Sequence, residues 1–277
     1  MKITNKKCLC SRDGMTIQGL AFIPEMPAHS VRRHPAASND KNASHLDTAP
    51  EDEKLPIAIV SHGFMANYKT TENYAKFLAE QGYAAFCFDF NGGCIHGKSD
   101  NDTTKMTVFT EKEDLKAVIA YTRKLPFVNK DDITLMGCSQ GGFVSALVGA
   151  ELRERITRLV LFYPALCIPD DARAGKMMFA KFDPQNIPEI IHCGPMKLGR
   201  AYAQSVLGID AIEAIQSYEG PVLIVHGSKD EIVDCSYARK AAKAYTNAEL
   251  VVIPDGKHGF SKEHDKIAME AVGQFLK

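Results

Sequence analysis

Short apolar segments alternate with amphipathic helical segments from Leu55 to the end of the chain, and this alternation restricts the fold more than any other feature. The apolar segments lie at 57–60, 84–90, 133–139, 156–165, 221–227 and 248–254. Helical spacing is found at 72–82, 111–125, 141–152, 236–246 and 266–276. Strands that are apolar throughout belong to a parallel sheet covered on both faces, with the helices as connections. The chain is therefore predicted to fold as an α/β protein with a mostly parallel sheet flanked by helices.

Two segments interrupt this alternation. Residues 26–55 are rich in Pro, Asn, Asp and Ser and contain few large aliphatic residues, which predicts a flexible insertion loop. Residues 166–215 are rich in Pro, Gly, Met and charged residues and include one helical stretch near 199–207. We interpret this cap segment (166–215) as an insertion between two strands that packs over the sheet edge where ligands of open α/β sheets bind. The whole chain, 1–277, is predicted to be one domain that begins with an antiparallel strand at 15–23.

Composition places the chain among ordinary globular proteins. Of its 277 residues, 45% are hydrophobic and 24% are charged, so a large core is expected and wholesale disorder is excluded. The net charge of -1 gives no sign of a nucleic-acid partner, which usually requires a clustered basic excess. The nine histidines and eight cysteines form no CxxC or HExxH pattern, so neither a metal site nor a cofactor is predicted.

The N-terminal segment carries no recognisable targeting signal. It begins with basic residues but lacks the apolar core of a signal peptide, and no apolar run approaches the roughly 20 residues of a membrane span. We therefore expect a cytoplasmic protein with free thiols and no membrane partner. The oligomeric state is not determined by any pattern, which leaves a homodimer open.

The sharpest local pattern is Gly-Cys-Ser-Gln-Gly-Gly at 137–142, which has the form G-x-S-x-G. It lies between a predicted strand and a predicted helix, where such a pattern forms a tight turn that lifts the serine hydroxyl clear of the sheet. Side chains at the flanking glycines would clash in that turn. The pattern predicts Ser139 as a nucleophile, and the alternative is a glycine-rich turn with an incidental serine.

A serine hydroxyl is a weak nucleophile, so a base and an orienting acid are expected elsewhere in the chain. In chains with this turn the order is serine, then acid, then histidine. Asp230 follows the strand at 221–227, and His258 follows the strand at 248–254. Both therefore leave the same sheet edge as Ser139. We predict that Asp230 holds one ring nitrogen of His258 while the other nitrogen accepts the proton of Ser139.

Other acids and histidines lie near these positions and are alternatives. Glu231 and Asp234 are also close to the end of the strand, but the first acid after the strand fits the loop better. Asp255 is more typical of a turn. His226 ends a strand and is expected to be structural, and His264 is expected to be exposed.

The turn His62-Gly63-Phe64 directly follows the strand at 57–60. Chains with a G-x-S-x-G turn supply a backbone N–H for the reaction at this position. We predict that the N–H groups of Phe64 and Gln140 stabilise the oxyanion of a tetrahedral intermediate, at about 3–4 kcal/mol for one donor. The alternative is a plain turn at the end of a strand.

In this order and spacing, the motifs HGF, GCSQGG, HGSKD and GKHGF resemble those of the α/β-hydrolase superfamily. With the FDFNG run at 88–92 and the cap segment, the chain more narrowly resembles bacterial cinnamoyl (feruloyl) esterases. The resemblance implies an α/β-hydrolase fold and a carboxylic-ester hydrolase that forms an acyl-enzyme from small hydroxycinnamate esters. In those esterases an Asp and a Tyr of a small cap bind the phenolic end of the substrate, and the matching residues here are Asp171 and Tyr202.

Two departures from the esterase pattern stand out. The family usually continues FDFNG with His-Gly-x-Ser, whereas residues 93–99 read GCIHGKS, and the segment 26–55 has no counterpart. Other functions are therefore kept open: a general short-chain carboxylesterase or lipase, a serine oligopeptidase-like hydrolase, or a non-catalytic ligand-binding member of the fold. The chain has no room for the large propeller of oligopeptidases, and an intact set of Ser, Asp and His argues against a non-catalytic protein.

Overall fold

The computed structural model describes residues 2–25, 54–100 and 102–277, and an eight-stranded sheet runs through them. Its strands are β1 (Ile3–Arg12), β2 (Met15–Pro24), β3 (Leu55–Ser61), β4 (Ala84–Phe88), β5 (Val128–Cys138), β6 (Arg158–Phe162), β11 (Val222–Gly227) and β12 (Ala248–Ile253). Their order across the sheet is β1-β2-β4-β3-β5-β6-β11-β12. β1 and β2 are antiparallel to their neighbours and all other pairs are parallel, which confirms the predicted fold class.

Helices cover both faces of the sheet. The longer ones are α1 (Glu72–Glu80), α2 (Val108–Thr122), α3 (Gln140–Glu151), α7 (Cys235–Ala244) and α8 (Lys262–Phe275). One core contains buried side chains of α2, α3 and α7, and the other contains those of α1 and α8. Successive residues of β3 alternate between the two cores, because neighbouring side chains of a strand point to opposite faces. None of the helices in the described residues is both long and apolar enough to cross a bilayer.

Helix α2 begins three residues before the predicted start at 111. Thr107 and Thr110 form a capping box in which each hydroxyl accepts a hydrogen bond from the other residue's backbone N–H, at 3.0 and 2.8 Å. These bonds satisfy N–H groups that the first turn of a helix leaves unpaired. The helix therefore starts at the cap rather than at the first acidic residue.

Strand β1 was not predicted, and its pairing explains why. It forms the edge of the sheet and pairs with β2 along its whole length, from Ile3 opposite Pro24 to Arg12 opposite Met15. Most of its side chains are exposed or half-buried, so the segment carries no clear apolar signal. The predicted insertion loop, 26–55, lies outside the described residues except for Lys54 and Leu55, and Leu55 begins β3.

The cap segment folds into a series of short elements between β6 and β11. These are α4 (Ile168–Arg173), β7 (Lys176–Met177), β8 (Ala180–Lys181), β9 (Ile190–Cys193), β10 (Met196–Gly199), α5 (Arg200–Val206) and α6 (Ala211–Ile215). The helical stretch expected near 199–207 is α5. The two small antiparallel sheets, β7 with β8 and β9 with β10, were not predicted, because strands of two to four residues are too short to show a period. The description of the chain as one domain with a cap stays a prediction.

Candidate active site

Ser139 occupies a strained turn between β5 and α3. Its backbone φ of 54° and ψ of -120° are values that residues other than glycine rarely adopt. A Cβ atom on Gly137 would lie 2.2 Å from the carbonyl oxygen of Gly141, and one on Gly141 would lie 2.3 Å from the carbonyl oxygen of His62. The backbone approaches too closely for side chains at either position, which is the steric basis of the G-x-S-x-G pattern.

Ser139, His258 and Asp230 lie within hydrogen-bonding distance of one another in series. His258 Nε2 is 2.9 Å from Ser139 Oγ, and His258 Nδ1 is 2.8 Å from Asp230 Oδ2. In this arrangement Nδ1–H donates to the carboxylate while Nε2 accepts from the serine hydroxyl. The three residues follow the ends of β5, β11 and β12, so the shared sheet edge brings them together. The structure thus places them as the spacing predicted, while their catalytic roles stay predictions.

Hydrogen-bond donors other than His258 also hold the carboxylate of Asp230. Its Oδ1 accepts the N–H groups of Ile232 and Val233, both at 2.9 Å, and His226 Nε2 lies 3.2 Å from Oδ2. Burial alone would raise the pKa of Asp230, but the hydrogen bonds from His226, His258 and the Val233 N–H outweigh it and lower that pKa well below its usual value. Asp230 is therefore ionised across the neutral and mildly acidic range. The contact with His226 was missed, although the spacing of four residues at the end of a strand hints at it.

Two of the alternative acids are engaged elsewhere. Asp234 caps α7 by accepting the N–H of Ser236 at 2.8 Å. Asp255 has a φ of 57° and pairs with Lys229 at 2.7 Å, as expected for an exposed turn residue. Both carboxylates therefore point to local partners rather than to the imidazole of His258.

The backbone N–H groups of Phe64 and Gln140 are available beside the serine. Both residues line the pocket at Ser139, and in the described parts of the chain neither N–H donates to another group. Gln140 is the first residue of α3, where helical N–H groups have no acceptor within the helix. A Cβ on Gly63 would lie 3.0 Å from the Cβ of Ser139, so the turn that carries Phe64 packs directly against the serine. This placement agrees with the predicted oxyanion hole, whose role is not tested by it.

His62 fixes the position of that turn. Its Nε2 accepts the N–H of Phe90 at 3.1 Å, so the proton is on Nδ1, which donates to the Gly63 carbonyl at 2.8 Å. Burial lowers the pKa of His62 against the opposing effect of the Gly63 hydrogen bond. The neutral ring therefore ties the turn after β3 to the segment after β4, which connects the HGF and FDFNG motifs physically.

The side chain of Gln140 joins a buried network that sequence reasoning missed. Tyr202 donates its hydroxyl hydrogen bond to Gln140 Oε1, and Gln140 Nε2 donates to Glu111 Oε2 at 2.7 Å. Burial raises the pKa of Glu111 well above its usual value and outweighs the hydrogen bond from Gln140, which favours the protonated form of this carboxyl. In the sequence Glu111 is indistinguishable from an ordinary acid in the first turn of a helix.

A pocket of about 250 Å³ lies between Ser139 and the cap segment. Its walls include apolar side chains of the cap, such as Met177 and Leu198, together with Asp171 and Tyr202. Asp171 faces this space with its Oδ1 3.5 Å from the ammonium group of Lys176. The hydroxyl of Tyr202 already donates to Gln140, so it can serve a ligand only as an acceptor. The structure brings both predicted cap residues to the pocket, and their roles in binding stay predictions.

Comparison with known proteins agrees with this geometry. A family model described as serine aminopeptidase, S33, matches residues 52–192, and one described as TAP-like protein matches residues 202–277. The solved structure of Est1E from Butyrivibrio proteoclasticus with ferulic acid bound is 31% identical, with a TM-score of 0.81 and 97% of each chain covered.

Curated relatives are more distant. The AB hydrolase superfamily protein YisY of Bacillus subtilis is 25% identical over 266 residues, which cover 82% of this chain and 94% of that protein. Putative esterase/lipase 2 of Mycoplasma pneumoniae is 29% identical over 106 residues, which cover 38% of this chain and only 37% of that protein. Because the first family model spans more than half of the chain, and Est1E matches nearly all of it, the chain belongs to the α/β-hydrolases of the family described as serine aminopeptidase, S33, and resembles the cinnamoyl esterases within that fold.

Proposed function

We propose that this protein is a serine carboxylic-ester hydrolase in which Ser139, His258 and Asp230 form a catalytic triad. The observation that carries the proposal is the series of hydrogen bonds from Asp230 through His258 to Ser139, at 2.8 and 2.9 Å. An incidental serine would need neither a base nor a strained backbone. The series converts a weak nucleophile into a reactive one.

In the first half of the reaction, Ser139 Oγ attacks the ester carbonyl carbon while His258 Nε2 accepts the serine proton. The ionised Asp230 stabilises the imidazolium, and the N–H groups of Phe64 and Gln140 hold the oxyanion. Collapse of the tetrahedral intermediate breaks the bond between the acyl carbon and the alcohol oxygen. The alcohol takes the proton from His258 and leaves an acyl-enzyme.

In the second half, His258 accepts a proton from water as the water oxygen attacks the acyl carbon. Collapse of this intermediate breaks the bond to Ser139 Oγ, which recovers the proton from His258. The carboxylic acid is released and loses its own proton to solvent. Every step is a proton transfer or a displacement at the acyl carbon, so the reaction requires no cofactor.

A hydroxycinnamate is the favoured acyl group. The pocket beneath the cap is largely apolar and can cover an aromatic ring, and the similarity to Est1E, whose structure holds ferulic acid, supports the same class of ligand. Asp171 is placed to accept a hydrogen bond from a phenolic hydroxyl. Tyr202 also lines this pocket, and its hydrogen bond to Gln140 holds it there.

Hydrolysis of p-nitrophenyl butyrate, methyl ferulate and chlorogenate tests the proposal. We expect all three to be cleaved, with the larger kcat/KM for the two hydroxycinnamate esters. Activity confined to the butyrate would remove the hydroxycinnamate assignment and favour a general short-chain carboxylesterase. Labelling by a fluorophosphonate should require Ser139: equal labelling of the Ser139→Ala variant would overturn the triad by placing the reactive serine elsewhere, and no labelling of the unaltered protein would favour a ligand-binding protein.

The description of the matching family favours a second candidate, a serine aminopeptidase. The same triad can cleave an amide if His258 protonates the departing amine. Amino-acid p-nitroanilides distinguish the two candidates. A kcat/KM for any of them above that for methyl ferulate would favour the peptidase.

A further inference from the structure

A second cleft reaches Ser139 from the side of α1 and α8. It encloses about 320 Å³, which is near the lower end of the roughly 300–1,000 Å³ typical of ligand pockets. Phe64 and Ser139 line both the pocket under the cap and this second cleft, whereas His258 lines only the second cleft. No residue of the cap segment forms its walls. The serine therefore stands between an acyl-sized pocket under the cap and an uncapped cleft beside the base.

The wall of this second cleft includes a hydrogen-bonded pair of side chains. Tyr74 on α1 donates its hydroxyl to Asp265 Oδ1 on α8 at 2.6 Å, and both residues line the cleft. Asp265 is half-buried, and in the described residues no lysine, arginine or histidine forms an ion pair with it. One carboxylate oxygen is thus positioned by Tyr74, while no donor in the described parts of the chain reaches the other.

Aromatic rings line the cleft beside His258. The ring of Tyr163 packs on the imidazole of His258 with centroids 4.7 Å apart, and on Phe260 with centroids 4.8 Å apart. These rings line the cleft together with His258. His258 and Asp265 therefore border the same cleft.

An ester places its acyl part and its alcohol part on opposite sides of the attacked carbon. If the acyl part fills the pocket under the cap, the alcohol oxygen must lie beside His258, which protonates it as it departs. We propose, on the basis of the function proposed above, that the second cleft is the subsite for the alcohol, and that Asp265 selects alcohols with neutral hydroxyl groups over alcohols that carry a carboxylate. A hydroxyl can donate to the free oxygen of Asp265, whereas a carboxylate on the ligand meets a like charge.

Three caffeoyl esters with one acyl group and different alcohols test this assignment: methyl caffeate, glyceryl caffeate and chlorogenate, whose alcohol carries a carboxylate. The value of kcat/KM reports acylation, the half-reaction in which the alcohol is still present. The protein should prefer glyceryl caffeate to chlorogenate. The Asp265→Asn variant keeps an acceptor for Tyr74 and removes the charge, so the ratio of the two kcat/KM values should fall by roughly fivefold.

Two further variants separate this role from a loss of folding. Glu270→Gln makes the same change of charge on the exposed side of α8 and should leave the ratio as it is in the unaltered protein. Tyr74→Phe keeps the charge of Asp265 but releases its Oδ1, so the ratio should fall by less than in Asp265→Asn.

An unchanged ratio in Asp265→Asn would overturn the subsite assignment alone, because cleavage of methyl caffeate would still support the esterase. Faster acylation by chlorogenate than by glyceryl caffeate would also overturn it, since the cleft would then select the carboxylate-bearing alcohol over the neutral one. Failure to cleave any of the esters would overturn the proposed function, and the assignment with it.

Discussion

The edge of the central sheet and the cap segment meet at one pocket, but they are held in place by different means. Ser139, Asp230 and His258 each lie within five residues of the end of a sheet strand. The Ser139 carbonyl also accepts the N–H of Ala165 at 2.9 Å, which ties the turn to the segment after β6. Backbone hydrogen bonds of the sheet therefore determine the distances between the reacting atoms.

The cap segment depends on side chains instead. Its elements have two to seven residues, and their buried side chains, such as Met177, Met196 and Tyr202, belong to the same apolar core as those of α2 and α3. From this comparison we propose that the sheet edge determines the catalytic reaction and that the cap determines which acyl group is bound. Changes at the edge should then reduce kcat, and changes in the cap should alter KM and the choice of substrate.

The largest effect is expected at the edge. Ser139→Ala should reduce kcat by about a millionfold, because the base and the acid have no function without the nucleophile. The measurement is hydrolysis of p-nitrophenyl butyrate, with thermal unfolding to confirm that the fold is intact. Ser217→Ala, at an exposed serine, is the matched control. Retention of a hundredth of the activity by Ser139→Ala would place the nucleophile elsewhere.

Asp230→Asn should reduce kcat by about 10⁴-fold, since an amide favours the wrong tautomer of His258. The pKa of Asp230 is lowered in the folded protein, so its side chain is ionised at every pH above the ordinary pKa of about 3.9. The stability that the carboxylate contributes is lost only as the pH falls through the lowered pKa. The loss of activity should therefore be similar at every pH between about 5 and 8. A loss restricted to the acid end of a pH–rate profile would contradict this assignment.

Glu111 links the two regions, and its variants should have intermediate effects. Glu111→Ala removes the acceptor of Gln140 and should reduce kcat about tenfold by loosening the residue that follows Ser139. Glu111→Gln keeps a neutral acceptor and should retain most of the activity. Steady-state kinetics on methyl ferulate provide the comparison, and equal losses in both variants would argue that the acid acts as a charge.

The pH dependence of stability gives an independent test of the raised pKa of Glu111. Its pKa is raised in the folded protein, so above about pH 4.5 the folded state binds more protons than the unfolded state, and stability falls as pH rises toward the raised pKa. Glu111→Gln removes this penalty. Urea unfolding should show the variant gaining stability over the unaltered protein between pH 5 and pH 8, and a constant difference would contradict the raised pKa.

The smallest effect is expected in the cap. Asp171→Asn weakens one hydrogen bond and should raise KM for methyl ferulate roughly fivefold relative to KM for p-nitrophenyl butyrate. Asp170→Asn is the matched control, since this neighbouring acid contacts Arg173 and Tyr237 and does not line the pocket. A change of kcat rather than KM in Asp171→Asn would break the comparison between edge and cap.

The sequence determined the fold class and the candidate nucleophile, base and acid, because each depends on a local signal. Strand ends are marked by apolar runs followed by glycine or polar residues, and parallel strands end at a common edge. That rule, the G-x-S-x-G pattern and the chain order serine, acid, histidine together predict Ser139, Asp230 and His258. The hydrogen bond between His258 and Ser139 joins residues 119 apart in the chain.

Only the tertiary structure decided which buried polar groups support those residues. Glu111 and Gln140 are 29 residues apart, and their bond exists because α2 and α3 pack side by side against one face of the sheet. The hydrogen bond of Tyr74 with Asp265, across a separation of 191 residues, likewise depends on how distant segments meet. Local sequence patterns contain the periodicity of strands and helices. The environment of a buried side chain, in contrast, depends on packing between segments that are far apart in the sequence.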